Sequence, residues 1–223
     1  MKALLNIYPL ALFLGTLSAV AQGTGKGSAK VETEPDNLFQ SVPHLKVDFE
    51  QESFRKLRGR TVRRAGLAQF SQPSFFRWQY SHQKFGLEEY YYDGKNFTHY
   101  IQRENAATVY DSKTNLGKEL QQVVDLVLKN KNLRDRFTVQ KNGKDRKNDQ
   151  LDISLIPKKG QYSDIEKIHV VILDKKQFIQ TVNITYKDGN RTKFLFSNPK
   201  FSKISPDTYR FTPSANVKVN VIK

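Results

Sequence analysis

Strict alternation begins at Leu45, where Leu45, Val47 and Phe49 are apolar and Lys46, Asp48 and Glu50 are charged, so the pattern predicts a strand with one buried face. The densest form of this pattern runs from Gly66 to Tyr80. It reads Gly-Leu-Ala-Gln-Phe-Ser-Gln-Pro-Ser-Phe-Phe-Arg-Trp-Gln-Tyr, two strand patterns joined at Pro73 and holding the single tryptophan. Side chains alternate between the faces of a strand, so Ala68, Phe70 and Gln72 share one face, and Phe76, Trp78 and Tyr80 share one face of the next strand. A sheet face with that many aromatics is either a core or a ligand wall, and the pattern leaves both open.

Further along, Leu87–Tyr92 and Asn96–Ile101 flank Asp93-Gly94, a pair that readily takes the positive φ of a tight hairpin turn; Asn142-Gly143 and Asp188-Gly189 offer the same device. Between the first and second of these, Leu116, Leu120, Val123, Val124, Val127 and Leu128 fall on one helical face. Thr114 or Asn115 suits its N-cap, and Lys129 and Lys131 suit its negative end. Period two then returns at Leu151, Ile153 and Leu155, with further strands expected at Ile168–Leu173, Phe178–Tyr186, Thr192–Ser197 and Tyr209–Thr212. The sum is a single α+β domain: a long antiparallel meander interrupted by one amphipathic helix. Such a meander can close into a barrel, split into a sandwich, or curl beneath a helical cap. The helix carries one apolar stripe, which suits the mouth of a curved sheet, although tight packing without a cavity fits the same stripe.

Composition adds a compartment and a charge. Lys2 and the apolar run from Ala3 to Val20, ending Ala19-Val20-Ala21, predict a secretory signal over 1–21, cleaved before Gln22. A membrane anchor is the competing reading, but the run is short and Pro9 interrupts it. Residues 22–36 read as a flexible leader, and 37–223 as one domain that opens with a short helix capped by Asp36 and ended by Pro43. Cysteine is absent, so neither a disulfide nor a lipid-bearing N-terminal cysteine is available. The net charge is +15, densest from Arg55 to Arg64, a group that contains Gly59 and reads as a solvated hairpin turn. Export argues against nucleic acid as its partner and favours membrane headgroups or acidic proteins.

Little in the chain suggests catalysis. His44, His82, His99 and His169 are scattered, and no metal-ligand spacing, nucleophile elbow or phosphate loop occurs. The acidic pair Glu88-Glu89 stands on a predicted strand, where neighbours point to opposite faces and cannot act on one bond. The expectation is a protein without enzymatic activity, metal or cofactor.

Several short motifs together give the chain a family likeness. Gly66 is followed by Pro73 and then by Phe76-Arg77-Trp78-Gln79-Tyr80, Asp93-Gly94-Lys95 and Ile156-Pro157-Lys158. Phe49-Glu50-Gln51, Asp188-Gly189, Phe196-Ser197-Asn198 and Phe211-Thr212-Pro213 complete the set. In order and spacing, from about Leu38 to Val219, the chain resembles the LolA family of periplasmic outer-membrane lipoprotein carriers. The resemblance implies an incomplete, curved antiparallel barrel, a half-barrel with a lid of short helices over an apolar cavity. It implies a monomeric periplasmic chaperone that takes the acyl chains of lipoproteins released by an inner-membrane Lol ABC transporter and delivers them to an outer-membrane receptor. Carried over by position, Phe49, Phe70, Gln72, Phe76, Trp78 and Tyr80 would line the cavity or its rim. Leu116, Leu120, Val123, Val124, Val127 and Leu128 would form the inner face of the lid. The family usually has a lid-holding arginine immediately before the proline, and this chain has Gln72 there. The lid is therefore expected to be held less firmly, or by another residue. Three other readings compete: an exported sensor of lipid or lipoprotein with the same fold, an outer-membrane receptor, which the missing cysteine argues against, and a binder of polysaccharide or nucleic acid using exposed aromatics.

Overall fold

The structure, a computed structural model, describes residues 42–82, 86–111, 123–128, 133–145, 147–160, 164–173 and 178–222. All belong to one compact unit, Pro35–Lys223. The expected signal, leader and first helix, together with Leu116 and Leu120, lie outside the described residues.

Alternation produces strands wherever it is strong. β1 (His44–Arg55) buries Leu45, Val47 and Phe49, and β2 (Arg60–Ser71), β3 (Phe75–His82), β4 (Gly86–Tyr92), β5 (Asn96–Ile101) and β6 (Ala106–Asp111) follow as hairpins. The second run is β7 (Phe137–Asp145), β8 (Gln150–Pro157), β9 (Ile165–Leu173), β10 (Phe178–Tyr186) and β11 (Arg191–Lys200), and β12 (Lys218–Ile222) ends the described chain. The twelve strands form one open sheet in the order β12-β6-β5-β4-β3-β2-β1-β11-β10-β9-β8-β7, so the two runs join where β1 pairs with β11. Two short helical pieces, α1 (described over 123–127) and α2 (Leu133–Arg136), lie on the connection between β6 and β7.

Most of the pattern-based expectations hold. The β2–β3 turn falls at Pro73, the Asp93-Gly94 and Asp188-Gly189 turns are where the pattern puts them, and β10 has the bounds read from its apolar period. Three do not hold. Asn142-Gly143 is no turn, because pairing shifts register between Lys141 and Gly143 and continues to Asp145↔Gln150, which makes it a bulge inside β7. The reversal comes later, where the Asp145 carboxylate accepts N–H groups from Lys147 at 2.9 Å and Asn148 at 3.3 Å and Asp149 takes φ +53°. Tyr209–Thr212 is no strand either. Pro206 starts a single 3-10 turn, Pro206–Tyr209, that buries Tyr209 and bonds its hydroxyl to Ser71. Lastly, the sheet is not wholly antiparallel, since β12 runs parallel to β6. Its residues are exposed along their length, so its apolar Val219, Val221 and Ile222 mark an edge, not a core.

The sheet curls because small residues on β2 let aromatics meet across it. Gly66 stands between Phe49 and Tyr80 in the cross-strand row, and Ala68 stands between Val47 and Trp78. Phe49 therefore reaches Tyr80 edge-on at 5.2 Å between ring centroids, and Trp78 at 4.6 Å. Trp78 also meets Phe194 of β11 at 5.4 Å. Three inter-strand gaps separate β3 from β11, about 14 Å on a flat sheet, so the rings converge on a concave side. One apolar cluster spans that side from Phe97 on β5 to Phe137 at the start of β7.

Candidate functional site

Five of the six side chains expected at a cavity wall share this concave face. Phe49, Phe70, Phe76, Trp78 and Tyr80 are all at most 4% exposed. Phe194, Phe196, Tyr90 and Phe97 complete the aromatic floor. Phe194 and Phe196 stack at 6.0 Å with planes 4° apart. These four were readable as alternating positions of expected strands, but nothing in local sequence says that β11 lies beside β1. Gln72 does not join them. The inward alternation ends at Phe70; Gln72 is exposed in the turn, and its backbone N–H donates to the Pro43 carbonyl at 3.0 Å. Among the described residues, the indole Nε1–H of Trp78 is buried on the floor without a hydrogen-bond partner.

The described part of the helical crossing lies over this floor. Val123, Val124, Val127 and Leu128 are buried in the same cluster, as the helical stripe requires, but so is Leu126, and Asp125 is only 6% exposed. A one-sided amphipathic helix would leave some of these in water, so this segment is enclosed on more than one side. Asp125 is the group that pattern reading missed, although a lone acid in Val-Val-Asp-Leu-Val-Leu is itself a signal: a buried carboxylate needs partners. Ser74 Oγ donates to its Oδ1 at 2.8 Å and Arg136 Nη1 to its Oδ2 at 3.1 Å. The β2–β3 turn, α1 and α2 are thereby tied at one carboxylate, and the tie leaves the turn from Ser74, two residues beyond Gln72. Among the described residues, backbone bonds add further holds, from Val42 N–H to the Leu128 carbonyl at 3.1 Å and from Lys158 N–H to the Arg136 carbonyl at 2.9 Å.

The concave face has a polar rim at one end. Tyr80 donates its hydroxyl to Gln51 Oε1 at 2.7 Å, and Glu88 accepts from Tyr90 at 2.6 Å and Arg64 at 3.3 Å and lies 3.2 Å from His99 Nε2. Burial by itself raises the Glu88 pKa, but the bonds from His99 and Tyr90 and the Arg64 charge outweigh it and hold the carboxyl at about 2. Burial, reinforced by Glu88, pushes the Tyr90 hydroxyl well above its ordinary range. The neighbouring Glu89 faces the other way. It is 4% exposed on the convex side, where it accepts from Arg77 at 2.8 Å and Tyr91 at 2.9 Å, beneath Phe211. The two carboxylates thus stand on opposite faces and form no dyad. Among the described residues, no group of three or more potential ligands could hold a metal. A surface hollow of about 310 Å³ lies between Lys46, Asp48, Leu67, Asn198 and Lys200, away from the aromatic floor.

Residues 40–212 match the sequence model of the outer membrane lipoprotein carrier protein LolA. No curated protein matches the sequence significantly. Among solved structures, an uncharacterized conserved protein from Thermus thermophilus superimposes with a TM-score of 0.53 at 8% identity, over 81% of this chain and 91% of that one, and so shares the fold. A LolA superfamily protein, NE2245 of Nitrosomonas europaea, gives 0.42 at 8% identity over 79% and 94%. MucB in the MucA/MucB complex of Pseudomonas aeruginosa gives 0.39 at 12% identity over 83% and 60%.

Proposed function

From a chain that belongs to the LolA family, we propose an exported, periplasmic lipoprotein carrier that shelters acyl chains on the concave aromatic face and hands them to an outer-membrane receptor. The observation that carries this reading is the way the face is covered. Among the described residues its cover is held by side-chain burial, the Asp125 carboxylate tie and backbone bonds with Val42 and Lys158, with no strand ladder over 123–128. A cover of that kind can lift as a unit while the sheet stays intact.

The energetics of exchange support it. The five apolar residues among 123–128 gain about 1.5–3 kcal/mol each when fully buried, on the order of 10 kcal/mol together. A long acyl chain gains about 0.8 kcal/mol per methylene, a similar total. Acyl chain and helix therefore compete for the same floor at near balance, and a carrier needs that balance to load and to release. The unpartnered Trp78 Nε1–H is a donor that the ester or amide carbonyl of an acyl group can occupy. Cargo would arrive from an inner-membrane Lol ABC transporter. Each step is binding or release, with no covalent chemistry.

The test is purification from the native periplasm with mass spectrometry of co-purifying material. Lipoproteins carrying intact acyl chains are the expected finding; free lipid, glycan or nothing counts against the carrier in that order. Free lipid together with a stable membrane-protein partner points instead to a lipid-sensing regulator.

A further inference from the structure

The end of the β1–β2 hairpin shares its backbone build, a 3-10 turn closed by a left-handed residue, with the β5–β6 turn at Gln102–Asn105, but differs from it in presenting an apolar side chain. A 3-10 turn, Lys56–Arg58, closes on Gly59 at φ +55°, and its middle residue, Leu57, is 100% exposed. Around the leucine stand Arg55, Lys56, Arg58 and Arg60. Lower on the hairpin the cations are paired, Arg63 with Glu52 at 2.9 Å and Arg64 with Glu88 at 3.3 Å. At the apex, by contrast, Arg55, Lys56 and Arg60 have no carboxylate in ion-pair reach among the described residues.

The apex is braced. Lys56 N–H donates to Asn190 Oδ1 at 2.9 Å, and Asn190 is fixed in turn by two bonds to Asp188, at 2.9 and 2.6 Å. The Lys56 stem packs so close to Gly189 that a Cβ there would sit 2.5 Å from it, and the Arg191 guanidinium covers the Phe54 ring at 4.8 Å. A leucine held rigidly in water inside a ring of cations has the character of an interfacial anchor: apolar in the centre, with long cationic stems whose heads reach phosphates. It makes a poor protein hot spot, since Phe54, the aromatic of the same apex, is already covered by the Arg191 guanidinium and a lone leucine does not build the several hundred Å² that a protein partner would need.

We propose that this apex docks on a bilayer surface rich in anionic lipid, with Leu57 at the headgroup–acyl boundary and Arg55, Lys56 and Arg60 on the phosphates. The Gln51↔Arg64 pair, which belongs to the polar rim of the concave face, lies four residue pairs up the hairpin, about 13 Å from the apex. Docking in this way holds that rim just above the membrane. The inference concerns where the protein sits and stands whether or not the concave face carries lipoprotein.

The absence of cysteine makes a clean test. An environment-sensitive nitrobenzoxadiazole label on Leu57→Cys is titrated with vesicles of phosphatidylcholine alone and of phosphatidylcholine with a quarter phosphatidylglycerol. The expected result is a blue shift on the anionic vesicles alone, lost at high salt. Leu57→Asn lowers partitioning of the unlabelled protein roughly tenfold, and each of Arg55→Gln and Arg60→Gln lowers it about fivefold. The proposal is overturned if the label stays in a water-like environment on vesicles the protein binds, if Leu57→Asn binds as well as the native protein, or if the apex captures an acidic protein without partitioning to lipid. Uptake of an acyl probe in membrane-free solution is measured on the same variants and is expected to be unchanged. Failure of uptake with vesicle docking intact would sink the carrier and leave the docking surface standing.

Discussion

Replacing Asp125 with alanine should loosen the helical cover while leaving the sheet intact. Among the bonds to described residues, the substitution removes a neutral hydrogen bond from Ser74 and a charge-assisted bond from Arg136, worth about 0.5–1.5 and 1.5–3 kcal/mol respectively. Part of that loss is returned, because a carboxylate only 6% exposed no longer has to be kept out of water. Arg136 is 33% exposed and can rehydrate, so no isolated charge is left in the interior. A net loss of about 2 kcal/mol follows, roughly a thirtyfold shift in the local opening equilibrium. The assay is native-state amide hydrogen exchange. Exchange at 124–128, including the Leu128 N–H that bonds to the Val124 carbonyl at 2.9 Å, should speed up by about that factor, while amides of β1, β2 and β3 keep their rates. Asp125→Asn, which can still accept from Ser74, should fall between the two. Unchanged protection at 124–128, or loss of protection spread evenly over the sheet, would refute the claim that this carboxylate holds a separable cover.

Three other outcomes follow from particular contacts. Gly66→Ala should destabilise the protein by more than about 2 kcal/mol in chemical denaturation, because a Cβ at this position would lie 1.8 Å from the Gln79 carbonyl oxygen and force β2 from β3. Glu88 is held at about pKa 2 against an ordinary value of 4.5, so its share of stability is present above pH 4.5 and is lost as pH falls towards 2. Glu88→Gln should flatten denaturation midpoints across that window, with a contribution on the order of 2 kcal/mol. Gln72→Arg should leave acyl-probe uptake and stability within about 0.5 kcal/mol of native, since Gln72 is exposed and the tie to the helix leaves from Ser74; a marked slowing of uptake would show that the turn holds the cover from Gln72 instead.

What could be read from sequence was whatever is written at short range. Alternation at Leu45, Val47 and Phe49 and at Phe76, Trp78 and Tyr80 survives folding because both faces of each strand have fixed neighbours one hairpin away. Asn142-Gly143 misled for the opposite reason. Its dipeptide is equally good for a turn and for a bulge, and the choice was made by the Asp145 turn a few residues later, which let the ladder run on. The site was legible only in part. Aromatics on one face could be seen, but the meeting of Trp78 with Phe194 depends on β1 pairing with β11, a contact between residues more than a hundred positions apart. The tie at Asp125 was hidden by a period count that scores only apolar positions and passes over the one acid between them.

The topology explains why cover and sheet can be separable at all. β6 and β7 are ten inter-strand gaps apart, about 48 Å along the sheet, and residues 112–136 must join them. Helix advances only 1.5 Å per residue, so a connection containing α1 and α2 spans that interval economically when the sheet curls and shortens the chord. The shortest route lies across the concave side, over the small residues Gly66 and Ala68 that allow the curl. The described segment 123–128 is thus placed over the aromatic floor by the same geometry that creates the floor. The β2–β3 ladder takes no bonds from the described 123–128 segment, so lifting that segment breaks side-chain contacts, the carboxylate tie and the Val42–Leu128 bond, while Arg136, whose carbonyl accepts from Lys158 N–H at 2.9 Å, stays with the β7–β8 pair. If lifting the segment also unzipped β2 from β3, the exchange rates of their amides would rise together with those of 124–128, and the carrier mechanism would have no rigid floor on which to hold its cargo.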